Sequence, residues 1–119
     1  MQNLEQIHNE APILKKTNDL YKEFYQYLKI FPKKDQYMLG KKCEDYIVSF
    51  IELILMAVNS HKQEKQEKLL EASIKFDVLK VLLRMARELR MLDNKKYLNL
   101  EKRIQEIGRM LGGWIRSLR

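Results

Sequence analysis

From Pro12 onward, core-type residues recur at steps of three and four, the spacing that lines one face of an α-helix. Ile13, Thr17, Leu20, Phe24, Leu28 and Phe31 predict a first helix over about 12–31. Pro12 suits its first position, because the N–H it lacks would be unpaired there anyway. Pro32 ends this helix, and Lys33-Lys34-Asp35 reads as a polar turn with Asp35 as N-cap of the next. The second helix, about 36–60, carries a seam of Leu39, Cys43, Ile47, Phe50, Ile54 and Val58. Val48, Ile51, Leu53, Leu55 and Met56 make it apolar almost all round, so it must be covered on more than one side. Ser60 to Lys68 is polar and charged, a loop followed by the solvated first turns of a third helix. That helix runs to about Leu92 on Leu69, Ala72, Phe76, Leu79, Leu83 and Ala86. Asp93-Asn94 supplies a turn and cap, and Tyr97, Leu100, Ile104, Ile107, Leu111, Trp114 and Leu118 mark a fourth helix. Four long helices with short connections predict an all-α, antiparallel up-down-up-down four-helix bundle. Residues 1–119 make a single domain, of which 1–11 is an unpatterned N-terminal tail.

Composition agrees: the 119 residues are 45% apolar, enough for one core, and contain only four glycines and two prolines. Cys43 is the lone cysteine and cannot form an internal disulfide, and Met1 to Glu10 does not read as a signal peptide. The longest apolar stretch, Ile47 to Val58, spans 12 residues and includes Ser49 and Glu52, too short to cross a bilayer. These features predict a cytoplasmic protein outside the membrane. Charge changes the picture more. Residues 1–59 hold eight lysines and eight acids, so the whole net charge of +7 lies in the second half, with all seven arginines. Arginine's planar fork matches phosphate and carboxylate, which points to an anionic partner.

Catalytic chemistry finds no candidates. A di-iron bundle needs two Glu-x-x-His motifs, and only Glu5 with His8 has that spacing, in the tail. Cys43 occupies a core position without a histidine nearby in sequence, the setting of an inert buried thiol. No phosphate-cradling glycine loop is present, so neither enzyme activity nor a metal or cofactor is expected. Basic residues form two stripes instead: Lys80, Arg84 and Arg87 on the third helix, and Lys102, Arg109 and Arg116 on the fourth, with Arg103 beside them. A solvated face is the plain reading of either stripe. Two stripes with few compensating acids favour phosphate contact, and with no aromatic residue interleaved they offer backbone affinity rather than base readout. Gly108, Gly112 and Gly113 each cost a helix roughly 1 kcal/mol relative to alanine. Either the helix ends at Gly112-Gly113, or the face packs tightly inside the monomer, or it forms a subunit contact. Gly108 and Gly112, with Ile51 and Leu55 on the strongly apolar second helix, are the candidate oligomer interface.

The segment Glu106-Ile107-Gly108-Arg109-Met110-Leu111-Gly112-Gly113-Trp114-Ile115 resembles the C-terminal signature of the accessory variability determinant (Avd) proteins of diversity-generating retroelements. Phe31-Pro32-Lys33-Lys34, Leu39-Gly40 and Leu79 to Arg84 extend the resemblance over about 12–118. The Phe-Pro-Lys and Leu-Gly elements are shared with the wider class of four-helix proteins encoded in 23S rRNA intervening sequences. The resemblance implies a homopentamer with a basic lumen that binds RNA or DNA, associates with a reverse transcriptase and supports error-prone cDNA synthesis. It places Lys80, Arg84 and Arg109 in the binding surface, Lys80 standing where arginine is usual. The alternatives are an intervening-sequence type protein of unknown function and a generic helical protein-protein adaptor.

Overall fold

Pro12 opens the first helix as expected. The computed structural model describes residues 11–119, and in it α1 spans Pro12–Leu28. Its buried side chains are Ile13, Leu14, Thr17, Leu20 and Phe24. Thr17 is tolerated there because its hydroxyl donates to the Ile13 carbonyl at 2.8 Å. The helix stops three residues short of the predicted end. Phe31 is nevertheless buried, edge-on to Phe24 with ring centroids 6.1 Å apart.

The next helix starts earlier than the sequence pattern indicates. Pro32 sits at its cap, Lys33–Asp35 is already helical, and Gln36–Gly40 forms a wide π turn leading into α2, Lys41–Val58. Asp35 therefore lies inside the helix and makes no side-chain capping bond, which corrects its assignment as N-cap. Gln36 serves the junction instead, donating from its amide to the carbonyls of Lys29 at 3.3 Å and Phe31 at 2.9 Å. Gly40 is buried where α1 ends against this turn. A Cβ there would overlap the end of the Leu28 side chain and stand 3.0 Å from the Asp35 carbonyl oxygen, so any side chain would force Leu28 and the turn to shift.

α3 spans Lys62–Glu88 and ends on Arg90, whose φ of 63° is left-handed. The Met91 N–H then reaches back to the Ala86 carbonyl at 2.9 Å, closing the helix end. α4 spans Asn94–Ser117, capped as the sequence predicts by Asp93, which accepts from the Lys96 N–H at 2.8 Å. Hydrogen bonds from Lys96 hold the Asp93 carboxyl below its ordinary pKa. The helix runs unbroken through Gly108, Gly112 and Gly113, so those glycines do not end it.

α2 packs along α3, α4 lies against both α1 and α3, and α1 touches α2. Cross-helix contacts join early residues of one helix to late residues of its neighbour: Lys16 to Glu106 at 3.0 Å, Asn99 to Tyr27 at 3.3 Å, and Gln66 to the Leu118 carbonyl at 2.6 Å. The four helices enclose a core in which the predicted seams meet, with Phe50 and Phe76 rings 4.9 Å apart at its centre. The bundle measures 43 × 27 × 22 Å. No helix among the described residues is long and apolar enough to cross a membrane. Leu70, Ile74, Val81 and Met85 form an exposed apolar stripe on α3. At 100° per residue it stands opposite that helix's buried seam.

Candidate nucleic-acid interface

The Gln66 bond joins α3 to the end of α4, Arg87 lies at the other end with its guanidinium 4.1 Å from the Tyr97 ring centroid, and the surface between the two helices forms a groove. It has a volume of about 580 Å³, and Lys80 from α3 faces Arg109 and Arg116 from α4 across it. Gly108 and Gly112 form part of its floor, and Glu101 is its sole carboxylate among the described residues. The fold thus brings one member of the α3 stripe together with two of the α4 stripe.

These three cations differ in how firmly they are engaged. Lys80 pairs with Asp77 at 3.2 Å and lies 5.4 Å from the Phe76 ring centroid, and such a surface pair is worth only about 0–1 kcal/mol. Arg109 and Arg116 are exposed and make no ion pair among the described residues. The Arg116 guanidinium lies back along its own helix, 3.3 Å from where a Cβ on Gly112 would stand and 3.9 Å from one on Gly113. Gly108 is equally open: an added Cβ would meet only Phe76, at an ordinary 3.7 Å. Packing inside the monomer therefore does not require glycine at 108, 112 or 113.

The remaining sequence candidates lie outside the groove lining. Arg84 is exposed, four residues beyond Lys80 on α3, and Lys102 is exposed on α4. Arg87 is half-buried against Tyr97. Arg103 turns the other way, toward α1, where its Nε donates to Glu23 Oε1 at 2.5 Å. Tyr27 donates to the second Glu23 oxygen at 2.6 Å and accepts from Asn99, so Arg103 belongs to an internal network. The bond to Glu23 raises the Arg103 pKa above its ordinary value, while burial and then Glu23 raise that of Tyr27. Ile51 and Leu55 are half-buried and pack against the core. Sequence reasoning missed Glu101 and Gln105 in the groove, whose positions on α4, at four-residue steps before Arg109, were the available signal. Glu5 and His8 lie outside the described residues.

Residues 12–118 match the bAvd-like family. The chain belongs to that family. No curated protein matches it. As an Avd-type protein it is an accessory protein, from a family that is not catalytic. The match covers all four helices and both walls of the basic groove.

In this Avd-type chain the cysteine carries no accessible chemistry. Cys43 is fully buried, and burial pushes its thiol up to about 12 from an ordinary 9.0. The folded chain keeps this proton above pH 9, where the unfolded chain loses it. Stability should hold below that pH and then fall toward pH 12 with a contribution of up to about 1.4 kcal/mol per pH unit. Urea titrations at stepped pH check this. Cys43→Ala should lower the plateau by leaving a small void yet show a shallower alkaline slope than the wild type.

Proposed function

We propose that this chain is a non-catalytic, nucleic-acid-binding accessory protein that works in the cytoplasm with the reverse transcriptase of a diversity-generating retroelement and supports mutagenic cDNA synthesis. The observation that carries the binding part is the α3/α4 groove, where a lysine and two arginines without ion pairs among the described residues face one carboxylate over a glycine floor. Such a surface suits a phosphodiester backbone: guanidinium groups supply charge and forked hydrogen bonds, and the missing side chains let the strand approach. Membership of the bAvd-like family supports the accessory role; the reverse transcriptase as partner and a homopentamer as the assembly are what the resemblance to Avd proteins implies. Self-association is proposed through the outer face of α3, where Leu70, Ile74 and Val81 are exposed, rather than through the glycines, which lie between cations. Light scattering should return a mass near five times 14.4 kDa, and a monomer would remove the assembly from the proposal.

The binding test is a salt titration followed by fluorescence anisotropy with labelled single-stranded RNA. If an assembly contacts six or more phosphates, affinity should fall at least about 100-fold between 50 and 200 mM salt. Affinity that is absent at low salt, or that barely changes with salt, would overturn the phosphate-contact reading.

A further inference from the structure

Where α2 begins and α3 ends, a second groove of about 680 Å³ differs in character from the basic one. Its apolar lining is Tyr37, Met38 and Leu39 from the π turn with Met85 from the last turn of α3 and Leu89 and Met91 just beyond it. Tyr37 is 73% exposed, Leu89 64% and Met38 59%. This exposure is built in. Gly40 lodged under Leu28, and the Gln36 amide bonded to the Phe31 carbonyl, fix the turn that presents Tyr37 and Met38 outward. The charged rim is also specific. Lys41 is taken up by Asp45 at 2.8 Å and Glu44 at 3.7 Å, which leaves Lys34 and Lys42 without ion pairs among the described residues and only Asp35 opposing them.

We propose that this groove docks a short amphipathic helix of a partner protein, with apolar anchors on one face and carboxylates flanking them. The walls are helical and offer no free strand edge, so an added β-strand has nothing to pair with, whereas a helix can lay its apolar face into the groove. Three methionines make a surface that adapts to such anchors. Lys34 and Lys42 select carboxylates beside them. A nucleic acid is a poorer occupant, because the lining is mostly apolar and contains no arginine. A second copy in a two-fold contact would set these lysines against themselves, and the ring contact proposed above uses Leu70, Ile74 and Val81 instead. The proposal is independent of the nucleic-acid reading and stands if RNA binding fails.

The test uses the full chain with ¹³C-methyl-labelled methionine and a synthetic helical peptide of about 15–18 residues carrying leucine on one face and glutamate beside it. The methyl signals of Met38, Met85 and Met91 should move, while those of Met56 and Met110, elsewhere on the bundle, should not. The same peptide with lysine replacing glutamate should bind at least about ten-fold more weakly. Met38→Asp and Leu89→Asp stand on opposite walls of the groove at exposed positions, so both should fold, and each should weaken the acidic peptide by at least about ten-fold. The proposal is overturned if the acidic peptide moves none of the three signals, if both peptides bind equally, or if both variants bind as wild type. Single-stranded RNA shifting the same three methyls in place of the peptide would likewise overturn it.

Discussion

Arg109→Glu combined with Arg116→Glu will lower affinity for single-stranded RNA by at least about 100-fold at 100 mM salt and leave helical content unchanged. Both side chains are exposed and neither pairs with an acid among the described residues, so their replacement breaks no ion pair in the fold. What changes is the groove: two of its three cations become carboxylates beside Glu101, and only Lys80 remains to attract a phosphate. Arg103→Ala will do the opposite. It removes a charge-assisted bond to Glu23 and leaves that carboxylate, 20% exposed, with only Tyr27 as donor among the described residues. Because the arginine itself is 40% exposed, the cost belongs at the low end, about 1–2 kcal/mol in a urea titration. The folded fraction should bind RNA within about two-fold of the wild type, since Arg103 is not in the groove. Loss of RNA binding by a stable Arg103→Ala protein, or wild-type binding by the double reversal, would displace the site from the α3/α4 groove.

These two arginine variants also mark where sequence reasoning reaches its limit. Periodicity located the helices and their seams because burial of Leu20, Phe24, Ile47, Phe50, Leu69, Phe76, Ile104 and Ile107 is written in steps of three and four along each helix. Local chemistry located Pro12 and Asp93 because a helix start needs either a residue without an N–H or an acceptor for one. Asp35 misled for the same reason: it has capping chemistry, but Pro32 had already started the helix, and the Gly40 contact with Leu28 fixed the turn that follows. That contact joins residues on different helices and leaves no local trace beyond the glycine itself. The basic stripes were legible one helix at a time. Which stripes would face each other was not, since the rotation of α4 against α3 is set by the whole core. The same rotation carried Arg103 to Glu23, 80 residues away in sequence, and out of the set of free cations. Lys80 met Arg109 and Arg116 for that reason too.

The glycines give the last expected result. Gly108→Ala with Gly112→Ala should make each protomer more stable and at the same time weaken RNA binding. The first half follows from space within the protomer. Alanine at 108 meets Phe76 at a normal 3.7 Å, and alanine at 112 meets only the movable end of Arg116, at 3.3 Å. Neither substitution is strained, and each recovers roughly 0.5–1 kcal/mol of helix propensity, visible as a higher urea midpoint. The second half follows from the groove. Two methyl groups raise its floor between Lys80, Arg109 and Arg116 and hold a backbone away from the cations by about the depth of a methyl group. Because the hydrogen bonds in a phosphate contact weaken steeply with distance, affinity should fall by about ten-fold or more with assembly mass unchanged. Each half has its own failing result. A double variant that is less stable than wild type would mean the glycines are needed inside the fold. One that is more stable but changes assembly mass would make the glycine face a subunit contact, as the sequence alone suggests, and move nucleic acid elsewhere on the bundle.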